Sequence, residues 1–132
     1  MTEPLVRDYL LGKISAEQLE KSTEKISPKM LPYYQAVEMI TDGEFRITNL
    51  HLISICDDVL RHRLKPDTLE PLTFILIGSD YFYWDTNSKE GQLVEEVIFE
   101  WNSPILNYPL TLENMIEWRN YLEGRARNMK DH

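Results

Sequence analysis

A chain of 132 residues with 22 acidic and 14 basic side chains, net −8, has the size of one domain, and its 42% hydrophobic content is that of a folded protein. The single cysteine, Cys56, excludes an internal disulfide, and apolar runs such as Leu72 to Ile77 fall far short of the roughly 20 residues a bilayer helix needs. The opening Met1-Thr2-Glu3-Pro4 shows no charged and then apolar leader, so a cytoplasmic protein with no membrane partner is expected.

Leu5, Val6, Tyr9 and Leu10 fall on one side of a short helix that Gly12 closes. Ser15 and Gln18 form a capping-box pattern opening a polar helix to about Lys25, and Ser27-Pro28 ends it and starts another. From Pro28, the positions Met30, Tyr33, Tyr34, Val37 and Ile40 keep helical spacing until the Asp42-Gly43 turn. Thr48 or Asn49 caps the next helix, one face of which carries Leu52, Ile53, Cys56, Val59, Leu60 and Leu64. After Lys65-Pro66, Asp67 or Thr68 caps a segment containing Leu69, Leu72, Ile75 and Leu76. The run from Thr73 to Trp84 is also rich in β-formers, so helix against strand stays open over 72–84. A buried helix to about Gly78 followed by an aromatic loop is favoured, because a strand needs a partner and only Phe45 to Ile47 offers a short one.

Leu93, Val94, Val97, Ile98 and Trp101 form an apolar stripe, which predicts Glu95, Glu96 and Glu100 on the opposite, outer face of the same helix. Asn102-Ser103-Pro104 stops it, and Asn107 is expected to bond nearby backbone amides and so fix the angle to the next helix. Thr111 caps a last helix through Leu112, Met115, Ile116 and Leu122, ended by Gly124. The expected fold is all-α: one helical domain over 1–124, a bundle of about six helices with at most a short β element near 45–47 or 74–84. A polar tail over 125–132 is expected to fray.

Catalytic signatures are missing. His51, His62 and His132 have no metal-ligand spacing, Gly43 and Gly78 stand alone, and Ser79 lacks the second flanking glycine of a nucleophile elbow. The adjacent pairs Asp57-Asp58 and Glu95-Glu96 point about 100° apart on a helix and do not converge on one atom. Cys56 sits in an apolar pattern with no activating base nearby in sequence. A non-enzyme with no cofactor, no metal and no catalytic residue is therefore expected; a pocket where acids from separate segments converge is the feature that would revive catalysis.

The charge is local. Residues 67–100 hold eight acids (Asp67, Glu70, Asp80, Asp85, Glu90, Glu95, Glu96, Glu100) against Lys89, net −7, so nearly the whole excess lies in this stretch. Such a field repels nucleic acid and steers basic proteins. Within the stretch, Asp80-Tyr81-Phe82-Tyr83-Trp84-Asp85 sets four successive aromatics between acids, more than one side of any element can bury. Exposed rings supply rigid contact area and carboxylates pair with a partner's Lys or Arg, so Asp80, Tyr81, Tyr83, Asp85, Glu95, Glu96 and Glu100 are the candidate partner-binding residues. A purely structural reading keeps Phe82 and Trp84 as core anchors with the tyrosines at the rim.

Two segments carry a resemblance. Leu5-Val6-Arg7-Asp8-Tyr9-Leu10-Leu11-Gly12-Lys13-Ile14-Ser15-Ala16-Glu17 resembles the start of colicin D-like immunity proteins, where a short helix leads through a GKIS turn into a second. Val97 to Asn114, with Trp101, Ser103-Pro104, Asn107-Tyr108-Pro109-Leu110-Thr111 and Glu113-Asn114, is similar to the ending of small immunity proteins of contact-dependent growth inhibition systems. The resemblance covers about a quarter of the chain, and the middle is longer than in the colicin D type. It implies an immunity protein that binds a cognate toxin C-terminal domain, basic and nuclease-like, and blocks it. The alternative is an acidic helical adaptor or regulatory subunit of a housekeeping complex. Oligomeric state is left open by the sequence.

Overall fold

The computed structural model describes residues 1–24 and 39–132. The helix expected from Pro28 to about Ile40 falls largely on residues 25–38 and lies outside the described residues; Ile40 itself has no helical conformation.

Six α-helices are present among the described residues: α1 (Glu3–Leu10), α2 (Ala16–Glu24), α3 (Asn49–Leu60), α4 (Leu69–Gly78), α5 (Lys89–Asn102) and α6 (Leu112–Leu122). A 3-10 turn, Pro66–Thr68, leads into α4. The mostly-α bundle with one short β element is as the sequence predicts. Each start has a chemical cause. Thr2 accepts from the Leu5 amide at α1. Ser15 and Gln18 exchange reciprocal bonds at α2, the Ser15 N–H donating to Gln18 Oε1 (2.9 Å) and the Gln18 N–H to Ser15 Oγ (3.1 Å). Ser88 and Thr111 cap α5 and α6 through the amides of Gly91 and Asn114. At α3 the third residue is His51 instead of the usual Glu or Gln, and its Nδ1 accepts the Thr48 N–H at 2.9 Å.

Three helices end alike. Gly12, His62 and Gly124 take positive φ (76°, 59° and 89°) just past α1, α3 and α6. In each case the next amide folds back on an earlier carbonyl: Lys13 N–H to Asp8, Arg63 N–H to Asp58, Arg125 N–H to Asn120.

The core is continuous. α3 packs chiefly on α6 and α4 on α5, burying Leu52, Ile55, Cys56 and Val59 with Leu72, Ile75, Leu76, Val94, Val97, Ile98, Met115 and Leu122. Trp101 and Trp118 meet edge to face, centroids 6.1 Å apart, a pairing that adds roughly 1 kcal/mol to their burial. Burial pushes the Cys56 thiol pKa well up, which fits a small hydrophobe and not a nucleophile.

The open question over 72–84 resolves into both states. α4 runs to Gly78, and after a turn Phe82–Tyr83 (β2) pairs in parallel with Phe45–Arg46 (β1), Phe45 opposite Phe82 and Arg46 opposite Tyr83. The expected aromatic loop is thus a strand, because its partner, two helices earlier in the chain, is the short stretch near Phe45. The Phe45 N–H donates to the Tyr81 carbonyl and the Ile47 N–H to that of Tyr83, both at 2.7 Å.

The polar tail corrects a second expectation. Residues 125–132 form no helix or strand, yet they are tied down. The buried Asn114 donates to the carbonyls of Pro109 and Lys130 (2.9 Å each) and accepts the Lys130 N–H (2.8 Å). The Asn128 N–H donates to Glu117, and Met129 packs on the core. Asn107 also differs from expectation. Its side chain donates to the Ser103 carbonyl at 2.9 Å, and its own backbone N–H bonds the same oxygen, so it pins the 103–107 turn through a carbonyl and not through amides.

Candidate partner-binding surface

The seven residues predicted to contact a partner separate into two groups. Asp80, Tyr81, Tyr83 and Asp85 surround β2, whereas Glu95, Glu96 and Glu100 lie along α5.

Around β2 the aromatic run divides by burial. Phe82 is in the core, Tyr81 and Trp84 are half-buried, and Tyr83 is 41% exposed. Phe45 holds this arrangement, its ring standing 5.7 Å from Phe82 and 6.2 Å from Tyr81. Asp80 is exposed at the beginning of the strand. The ladder is limited to the Phe45–Phe82 and Arg46–Tyr83 pairs; just before it Gly43 takes φ 83°, and a β-carbon there would touch the Tyr81 ring at 3.9 Å. Asp42 and Glu44, exposed ahead of β1, and Asp80, exposed ahead of β2, precede the same end of the parallel pair. None of the three has an ion-pair partner among the described residues. Sequence reasoning missed Asp42 and Glu44, since only the pairing of segments 37 positions apart brings them there. Asp85 sits at the other end. It accepts the Asn87 N–H and lies 3.9 Å from Arg46, a surface pair that adds little.

The α5 group departs from the predicted outer acidic face. Glu95 is half-buried. Glu96 is exposed but engaged: it accepts the Tyr121 hydroxyl (2.6 Å) and bonds Arg127 (2.8 Å). Glu100 faces inward and is 8% exposed, accepting Trp118 Nε1 at 2.9 Å and Arg127 at 2.6 and 3.0 Å. The expectation fails at Glu100 because the docked tail supplies an arginine, which makes an inward carboxylate tolerable next to the Trp pair. Burial works against the Arg127 charge, but its bonds to Glu100 outweigh this and raise its pKa. The bond to Glu96 likewise raises that of Tyr121. A single continuous acidic surface over residues 67–100 is not what forms.

A groove of about 600 Å³ lies between the α1–α2 turn and α3, and is lined by Tyr9, Ile14, Leu50, His51, Ser54 and Asp58. Asp58 accepts the Tyr9 hydroxyl at 2.5 Å and faces Arg63 at 3.8 Å; burial and this bond raise the Tyr9 pKa. His51 and Ser54 share a helix face, but the Thr48 N–H occupies His51 Nδ1, which leaves the neutral ring's proton on Nε2. Its tautomer is the wrong one for a base acting on Ser54 through Nε2. A second groove of about 470 Å³ brings Glu90 and Glu123 near Lys89 and Arg125; Glu90 already accepts the Asn49 N–H, and Glu123 bonds Arg119. Among the described residues no group of three or more His, Cys, Asp or Glu is placed to hold a metal ion, and no helix is long and apolar enough to cross a membrane.

Compared with family models, curated proteins and solved structures, the chain gives no match.

Proposed function

We propose that this chain is an immunity protein of the cytoplasm, which neutralises a cognate basic, nuclease-like toxin domain by forming a stoichiometric complex with it. The observation that carries the reading is the acidic end of the sheet. Asp42, Glu44 and Asp80, drawn from two distant segments, are exposed ahead of the same end of the parallel pair that carries Tyr83, with no ion-pair partner among the described residues. Like charges gathered in this way cost stability, and a cationic surface offsets the cost. A nuclease must be basic to hold its substrate's phosphates, so an acidic face competes for the same cations. The resemblance of residues 5–17 and 97–114 to immunity proteins supports the same reading.

Co-expression with the product of the reading frame immediately upstream tests it. The expected result is an equimolar complex and loss of the upstream protein's toxicity. Asp42→Lys and Asp80→Lys should each slow association several-fold at low salt and flatten its salt dependence. A complex whose association ignores both reversals would remove this face from the interface, and absence of any complex would refute the reading.

A further inference from the structure

The Arg127 side chain is 15% exposed, and its surroundings have the form of a receptor. Nη1 donates to Glu100 Oε1 (2.6 Å), and Nη2 to Glu100 Oε2 (3.0 Å) and Glu96 Oε1 (2.8 Å). The guanidinium carbon stands 4.1 Å from the Tyr121 ring centroid and 5.7 Å from that of Tyr108. Both carboxylates are positioned by groups other than Arg127: Trp118 Nε1 holds Glu100 and the Tyr121 hydroxyl holds Glu96. A two-pronged carboxylate, a second carboxylate and an aromatic face make a site for a planar guanidinium, and one poorly matched to an ammonium.

The segment delivering this arginine is tied down by few groups and belongs to no helix or strand. Apart from Arg127 itself, its attachments among the described residues are Met129 packed on the core, the Arg125 N–H bond to the Asn120 carbonyl, the Asn114 and Glu117 bonds and a His132 contact to the Pro104 carbonyl. Such a segment opens far below the cost of global unfolding. We propose that the Glu96, Glu100 and Tyr121 cleft is an arginine-binding site for a basic partner protein, and that Arg127 fills it in cis until an arginine of the partner takes its place. The choice of partner rests on the function proposed above; the site itself is tested without one.

Arg127→Ala and Arg127→Gln are titrated with N-acetyl-arginine amide and N-acetyl-lysine amide, following the indole N–H NMR signal of Trp118 with that of Trp101, which has no hydrogen-bond partner among the described residues, as the reference. The arginine derivative should shift the Trp118 signal saturably at concentrations at least tenfold below those the lysine derivative needs. The wild type should require at least tenfold more, and adding Glu100→Gln should abolish the response. If neither variant folds alone, the arginine derivative and not the lysine one should restore the fold. In the wild type, the Lys130 amide should exchange with solvent at least tenfold faster than the amides of α6. Folded variants that bind neither derivative, or both alike, would overturn the site, as would failure of both to restore an unfolded variant; equal protection of Lys130 and α6 would overturn its exchange. A site that binds arginine in a protein that captures no toxin would separate the two proposals.

Discussion

His62→Gly gives a direct test of how the helix ends are built. His62 adopts φ 59° just past α3, in a turn closed by the Arg63 and Leu64 amides on the Asp58 carbonyl. An L-residue in this conformation costs about 1–2 kcal/mol, through the approach of its β-carbon to the next carbonyl oxygen. Glycine removes that cost but loses about 0.5–1 kcal/mol through the greater freedom of the unfolded chain. The His62 side chain is exposed, so little packing is lost. The net expectation is a gain of about 0.5–1 kcal/mol, or an increase of a few degrees in Tm at this chain length. Urea denaturation with the slope held common should show the midpoint rising. Gly12→Ala and Gly124→Ala, at the equivalent positions of α1 and α6 with open space around the β-carbon, should each lose about 1 kcal/mol or more. A His62→Gly protein no more stable than the wild type, alongside alanine variants that lose nothing, would refute the argument that backbone strain governs these positions.

Three further outcomes are expected. Gly91→Ala should destabilise by about 3 kcal/mol in urea, because its β-carbon would stand 1.6 Å from the Asp85 carbonyl, which also accepts from Ser88 and has little room to move; an unchanged midpoint would show that this turn shifts freely. Asn114→Leu should cost about 2–4 kcal/mol and accelerate exchange of the Lys130 amide, since the Pro109 and Lys130 groups lose their partner; unchanged exchange would mean that the tail does not depend on this clamp. Burial lowers the pKa of His51 from 6.5, so as pH falls the unfolded chain takes up the proton first. The stability from this group is complete above about pH 6.5 and declines as pH drops through that value toward the folded pKa. Wild type should therefore lose more stability than His51→Gln between pH 7.5 and pH 5, and equal losses would sink the assignment.

The legible parts of the fold were those written in local chemistry. The Ser15 and Gln18 cap, the Gly12 and Gly124 ends and the Val94-Val97-Ile98-Trp101 stripe each depend on residues within a turn or two of one another. His62 was illegible as a helix end, since histidine carries no such signal, and His51 was equally so as a capping partner. The candidate surface divides the same way. Asp80 and Tyr83 are found from their own segment, whereas Asp42 and Glu44 join them only through tertiary pairing. Glu100 shows the converse error. Helical periodicity placed it outward, and an arginine 27 residues later, in a tail with no pattern of its own, turned the position inward.

The two-stranded sheet also bears on the order in which the molecule assembles. Closing a chain of 37 residues between Phe45 and Phe82 costs about 3 kcal/mol of loop entropy, while a few net hydrogen bonds return about 1 kcal/mol each. So short a ladder cannot nucleate folding; it clicks into place once α3 and α4 have docked and brought its strands into range. Substitutions at Asp42, Glu44 or Asp80 should then leave the refolding rate untouched and alter only unfolding. The sequence of that rim can therefore change without slowing the route to the native state.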